Sequence, residues 1–144
     1  MIREHVLVIA EAGVNHNGSL KLGYRLIDAA ADAGADYVKF QTFSADRLVT
    51  ATAPKAEYQE KYSSDQESQF SMLKKLELDI EDHKSLLAHC RDRRIGFLST
   101  GFDIQSLNSL YELKLDRFKI PSGELTNLPY LRHVAAFKKP LIVS

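Results

Sequence analysis

The chain has 144 residues, 44% of them apolar, with 19 basic and 19 acidic side chains and a formal net charge of zero. That is one domain's worth of chain with enough apolar content for a real core, which excludes a disordered polypeptide. Balanced charge excludes the electrostatic footprint of a general nucleic-acid binder, so no nucleic-acid partner is expected.

The single cysteine, Cys90, excludes an intramolecular disulfide and a CxxC metal site. Its setting, "LLAHCRDRR", predicts a buried packing role on a helix and fits a reducing compartment. No apolar run reaches 18 residues, and "MIREHVLVIAEAG" is charged before a short strand. Neither a signal peptide nor a membrane partner is expected, and the expected location is cytoplasmic.

In chain order, "HVLVIAEAG" is a near-continuous apolar run ending at an acid and a glycine, which predicts a strand buried on both faces. "NGS" at 17–19 matches a glycosylation acceptor, but a helix start is the better reading in a cytoplasmic protein. "SLKLGYRLIDAAADAG" follows, with Leu20, Tyr24, Ile27 and Ala31 at helical spacing and Gly34 as a stop. "ADYVKFQT" is the second strand.

Residues 43–80 form a connection longer than usual. Within it "APKAEYQEKY" and "SQFSMLKKL" each suit a short helix. "IEDHKSLLAHCRDRR" is a longer helix, opened by Glu81 and Asp82. "IGFLST" is the third strand. "DIQSLNSLYEL" is a helix capped by Asp103, with Ile104, Leu107 and Leu110 on one face. "DRFKIPS" is the fourth strand, "LPYLRHVAAF" a short helix and "KPLIVS" the fifth strand.

The alternation β-α-β-α-β-α-β-α-β implies an α/β fold with a parallel sheet. Two architectures suit it. One is a five-stranded doubly wound domain, favoured by the length. The other is part of a (β/α)8 TIM barrel, which typically needs about 250 residues and is favoured by the motifs at the strand ends.

Ligands of parallel α/β folds bind at the carboxyl ends of the strands. Those ends carry Glu11, Asn15 and His16; Lys39, Gln41 and Thr42; Ser99 and Thr100; Lys119, Ser122 and Glu124; and Ser144. Polar residues at strand ends are ordinary. Lysines inside an apolar run, as in "YVKF" and "RFKI", are not, because an ammonium buried against helices without a partner costs several kcal/mol. Pointing into a barrel mouth, Lys39 and Lys119 with nearby hydroxyls suit a phosphate or carboxylate. The alternative is internal salt bridges to Glu11 or Glu124. A Schiff-base role for either lysine is a further reading. His5, His83, His89 and His133 read as surface or packing residues, while His16 either contacts substrate or holds its loop by hydrogen bonds. No pair of histidines has metal-site spacing.

Taken together, "IAEAGVNHNGS", "AGADYVKFQT", "FLST", "FKIPSGELTNLPYL" and "KPLIVS" resemble successive strand-end motifs of the sialic acid synthase family, from about Val6 to Ser144. The resemblance implies a (β/α)8 barrel that condenses phosphoenolpyruvate with an N-acetylmannosamine-type amino sugar to give a nine-carbon 2-keto acid. It also implies a divalent metal, Mn2+ or Mg2+, that polarises the sugar aldehyde. By the same resemblance Lys39, Thr100, Lys119, Ser122 and Ser144 are phosphoenolpyruvate contacts. Glu124 is the carboxylate near the carbon that water attacks, and Glu11 an acid near the reacting end of the sugar. Asn15, His16 and Gln41 lie in family motifs as substrate-site residues.

This chain has "STGFD" where the family often has proline at the position of Gly101, which implies a looser loop after strand three. The family's metal-binding histidines come from later strands, and its antifreeze-like domain reaches over a partner's active site. Residues 1–144 therefore read as the N-terminal part of a synthase barrel, expected to act as a homo-oligomer when whole and to be inactive as this segment alone. The stretch 50–79 resembles the legionaminic branch, which points to 2,4-diacetamido-2,4,6-trideoxymannose as the sugar. The rival class is a flavodoxin-like receiver module. Such a module needs an acidic pair after strand one and an aspartate after strand three, where this chain has Glu11 alone and Ser99-Thr100.

Overall fold

The computed structural model describes residues 5–50 and 68–144. The helix expected at 53–62 lies outside these residues. The described elements are β1 Ile9–Gly13, α1 Leu20–Asp32, β2 Tyr37–Thr42, α2 Ala45–Leu48, α3 Gln69–Leu76, α4 Ile80–Asp92, β3 Gly96–Gly101, α5 Ile104–Glu112, β4 Phe118–Ile120, a 3-10 turn Ser122–Glu124, α6 Leu128–Ala135 and β5 Leu141–Val143.

Capping chemistry explains where the helices begin. Ser19, Asp79, Asp103 and Asn127 each accept a hydrogen bond from a backbone N–H of the first turn of α1, α4, α5 and α6. Asp79 and Asp82 form a reciprocal capping box. Serine of "NGS" is thus a helix cap. Gly34, at φ +77°, follows the end of α1 in the left-handed conformation.

The sheet order is β1-β2-β3-β4-β5, every pair parallel. That order decides between the two architectures. A doubly wound sheet reverses direction at a switch point, whereas here each strand lies beside the one before it, as in a (β/α)8 barrel.

Side chains alternate between the two faces of the sheet. Val38, Phe40, Phe97, Phe118 and Ile120 join Ile27, Leu86, Cys90, Leu107, Leu110, Tyr130 and Val134 of the helices in one core. The opposite face carries Lys39, Gln41, Leu98, Thr100 and Lys119. Leu98 is fully buried yet lies outside the helix-side core. Burial pushes the Cys90 thiol up to about 12, so it packs as an inert apolar group.

Three expectations need correction. The first strand is shorter than the apolar run: Val6, Leu7 and Val8 are exposed and β1 starts at Ile9, where pairing with Tyr37 begins. Nor is β1 buried on both faces, since Glu11 is exposed and β2 is its one neighbour among the described strands. Ile104 is 41% exposed, because as the first residue of α5 it stands one turn short of the buried face that Leu107 and Leu110 form. Within the long connection, the short helix α2 precedes the two stretches expected to be helical.

Candidate active site

The C-terminal ends of the strands assemble most of the polar residues listed above. Glu11 and Lys39 are register partners on β1 and β2. Lys39 Nζ lies 2.7 Å from Glu11 Oε2 and donates to Thr100 Oγ1 at 3.3 Å. Thr100 is in turn the register partner of both Gln41 and Lys119. Lys119 Nζ donates to the Ile120 carbonyl at 2.8 Å and to the Ser144 hydroxyl. Glu11, Lys39, Thr100 and Lys119 on β1 to β4, and Ser144 just past β5, so form one row on the face away from the helices, joined by side-chain bonds except between Thr100 and Lys119, which meet through strand register.

The salt bridge to Glu11 foreseen for a lysine is therefore present, and it does not exclude anion binding. The Lys39 side chain is 12% exposed and the Glu11 side chain 56%, so the carboxylate is free to swing into water when a ligand anion arrives. Among the described residues, Lys119 has no carboxylate as a hydrogen-bond partner. Its ammonium is held below the ordinary lysine range by burial first and then by the nearby Lys39 charge, which Glu11 opposes. Two ammonium groups on the same face of the sheet, close enough to depress one of them, form a place where a small dianion is favoured.

A β-bulge between Glu11 and Gly13 shapes the first strand end. Gly13 has φ +52°, and a Cβ there would meet Glu11 Oε1 at 3.2 Å and Gln41 Nε2 at 3.8 Å. Gln41 thus borders the same carboxylate. Glycine at 101 does not loosen β3. Its carbonyl accepts the buried Tyr130 hydroxyl at 2.6 Å, and the backbone lies tight against Leu107 of α5.

The remaining residues stand apart from the row. Ser122 and Glu124 sit on the 3-10 turn just after β4, where Asn127 Nδ2 donates to Glu124 Oε2 at 2.6 Å. Asn15 is exposed in the β1–α1 loop. His16 is fully buried, with its ring 6.1 Å from that of Phe40 in the helix-side core, and its Nδ1 accepts from Gly18 N–H at 3.0 Å. The Nδ1 bond fits the loop-holding reading, while Nε2 is buried with no hydrogen-bond partner among the described residues.

Sequence reasoning missed the polar layer behind the row. His83, read as a surface or packing residue, is 1% exposed and bonded to the Thr42 hydroxyl at 2.8 Å, which bonds the Ser99 hydroxyl at 2.7 Å. The available signal was two hydroxyl residues in helix-facing positions beside Gln41 and Thr100. Among the described residues, no three of His, Cys, Asp and Glu converge to hold a metal ion. Among the same residues no helix is long and apolar enough to cross a membrane.

Sequentially adjacent parallel strands with helices on one face define a TIM-barrel-type segment, with a cationic, hydroxyl-lined row at its strand ends. Comparison with known proteins sharpens this. The chain belongs to the NeuB family, whose model matches residues 26–144. It is 54% identical over 138 residues to N,N'-diacetyllegionaminic acid synthase of Campylobacter jejuni, covering 96% of this chain and 41% of that protein. It is 55% identical to the enzyme of the same name from Legionella pneumophila, covering 95% and 38%. The chain thus spans roughly two-fifths of the length of these relatives. Among solved structures, N-acetylneuraminic acid synthetase of Leptospira borgpetersenii superposes with a TM-score of 0.78 at 30% identity, over 97% of this chain and 44% of that one. A 3-deoxy-D-arabino-heptulosonate 7-phosphate synthase from Thermotoga maritima, with TM-score 0.61 and 10% identity over 95% of this chain and 40% of that one, shows the shared fold alone.

Proposed function

We propose that this chain supplies the phosphoenolpyruvate side of a nonulosonic acid synthase active site. The supporting observation is the linked row of Glu11, Lys39, Thr100, Lys119 and Ser144 on the face away from the helices. Phosphoenolpyruvate carries a phosphate and a carboxylate on one small rigid frame. Lys39 and Lys119 neutralise these two groups, and the Thr100, Ser122 and Ser144 hydroxyls donate to their oxygens.

In the proposed reaction, the methylene carbon of phosphoenolpyruvate bonds to the aldehyde carbon of an open-chain amino sugar. Water adds to the enol-derived carbon, and inorganic phosphate leaves to give the 2-keto acid. Glu124 takes the proton from that water, oriented by its bond from Asn127. Glu11, displaced from Lys39 by the incoming anion, turns toward the sugar with Gln41 beside it. Asn15 reaches the substrate from the β1–α1 loop. The divalent ion supplies polarisation of the aldehyde when bound; residues of this chain are not assigned to it.

The sugar is 2,4-diacetamido-2,4,6-trideoxymannose, a reading supported by the identity to the two legionaminic acid synthases. The test is an assay of the whole synthase that carries this segment with phosphoenolpyruvate and Mn2+, comparing this sugar with N-acetylmannosamine and following phosphate release. Calorimetry with phosphoenolpyruvate alone separates binding from turnover. Faster phosphate release with the diacetamido sugar supports the reading. Absence of phosphoenolpyruvate binding, with Lys39→Met indistinguishable from the parent, overturns it.

A further inference from the structure

We infer that His83 is a positioning residue for the strand-end anion site, acting from behind the sheet through Thr42 and Ser99. The inference deepens the phosphoenolpyruvate reading and rests on it where Lys39 and Thr100 are concerned.

The hydrogen-bond directions follow from the carbonyl of Asp79, which makes the short bond to the ring; the Gln41 carbonyl also faces the ring, without a hydrogen bond of comparable geometry. His83 Nδ1 lies 2.7 Å from the Asp79 carbonyl oxygen, which can only accept. Nδ1 therefore carries a proton, and in the neutral imidazole Nε2 is an acceptor. The hydroxyl 2.8 Å from Nε2 belongs to Thr42, so Thr42 donates to His83. Its oxygen is then free to accept from Ser99, 2.7 Å away. The relay runs Ser99 to Thr42 to His83 to the Asp79 carbonyl, and its three side chains are buried, while Asp79 itself is exposed.

Neutrality of the ring is supported by its surroundings. Burial lowers its proton affinity below the ordinary 6.5, opposed by the Asp79 carbonyl, the Asp82 charge, the Gln41 carbonyl and the Asp79 charge. The titratable and charged groups facing it are Asp79 and Asp82 on α4, His16 on the β1–α1 loop, and Glu77 and Arg47 around the adjoining cavity.

The relay sits where it can set the site. Thr42 follows Gln41 in β2 and Ser99 precedes Thr100 in β3, so each hydroxyl is one residue behind a side chain of the mouth. Gln41 and Thr100 are register partners, and Lys39 donates to Thr100. Tying Thr42 to Ser99 cross-links the last rungs of β2 and β3. Tying Thr42 to His83 anchors both to the first turn of α4. Loss of His83 leaves two buried hydroxyls without their terminal acceptor, and the strand ends relax to find others.

The test uses the purified protein with His83→Leu, which removes the acceptor, and His83→Gln, whose amide oxygen can still accept from Thr42. Ser99→Ala interrupts the relay from the far end if His83→Leu does not fold. Three readouts are taken: phosphoenolpyruvate affinity, amide hydrogen exchange at Gln41 and Thr100, and imidazole nitrogen NMR of the parent. His83→Leu is expected to weaken phosphoenolpyruvate about tenfold and to speed exchange at both amides by a similar factor, with His83→Gln recovering most of each. Ser99→Ala is expected to speed the same two amides. The parent spectrum is expected to show Nδ1 protonated and Nε2 as an acceptor at neutral pH. Parent-like affinity and exchange in His83→Leu, or in Ser99→Ala where it replaces that variant, overturn the inference. So do a folded His83→Gln no better than His83→Leu, and the opposite tautomer. A parent protein that binds no phosphoenolpyruvate overturns the functional reading instead, and exchange at Gln41 and Thr100 then decides the positioning role by itself.

Discussion

The ammonium of Lys39 and the carboxylate of Glu11 meet at 2.7 Å, one side chain nearly buried and the other open to water. The pair is asymmetric. Removing Glu11 leaves a buried cation without its carboxylate, whereas removing Lys39 leaves an acid that water can solvate. Glu11→Gln is therefore expected to destabilise the fold by about 1–2 kcal/mol while tightening the binding of small anions, because Lys39 no longer has an internal competitor. Lys39→Met is expected to weaken phosphoenolpyruvate by at least about 100-fold, the loss of a charge-assisted hydrogen bond. Urea melts and calorimetry on the two variants check this; weaker anion binding in Glu11→Gln would count against the competition.

Lys119 is strained electrostatically in the free protein. Its folded-state proton affinity is lowered, by burial and then by Lys39, so the unfolded chain holds this proton more tightly than the folded one. Stability from this group therefore rises with pH through the window below the ordinary lysine value of 10.5. Lys119→Met is expected to be more stable than the parent at neutral pH and to lose phosphoenolpyruvate binding. A bound anion should raise the melting temperature of the parent and not that of the variant, which thermal melts with and without phosphoenolpyruvate will show.

Asp103 supports β3 from the other side. Burial raises its proton affinity, but bonds from the Ser106 hydroxyl and backbone N–H and from Arg47 outweigh burial and hold it below the ordinary 3.8. The sign is that of a depressed carboxylate: its stabilisation is present above the ordinary value and lost as pH falls through the folded-state value. Asp103→Asn is expected to lower stability at pH 7 by about 1 kcal/mol and to narrow the gap to the parent in acid. Denaturant titrations at pH 7 and near pH 3 measure both ends.

Gly18 is where the β1–α1 loop touches the long connection after β2. It has φ +72°, and a Cβ would stand 2.1 Å from the Lys75 carbonyl oxygen at the end of α3. A backbone oxygen cannot swing away, so Gly18→Ala is expected to cost about 2–3 kcal/mol and to disturb the bond from Gly18 N–H to His16. Thermal denaturation gives the cost. A chemical-shift map confined to residue 18 would show that the contact is softer than this.

Much of the fold was legible in the residues. Period-two and period-3.6 apolar patterns depend on local geometry, and so do caps such as Ser19 and Asp103. The strand-end lysines announced themselves because an ammonium has no cheap place in an apolar run. What the sequence alone determined about this protein was the alternation of elements, the family motifs and the placing of Lys39 and Lys119 at strand ends. Only the tertiary structure decided that the strands run in sequential order, that Lys39 already holds Glu11, and that His16 and His83 lie buried behind the mouth. Those facts turn on which residues meet across 28 to 61 positions of chain, as Lys39 does with Glu11 and Thr100. A hydroxyl or an imidazole reads the same in sequence whether water or a neighbouring strand completes its hydrogen bonds.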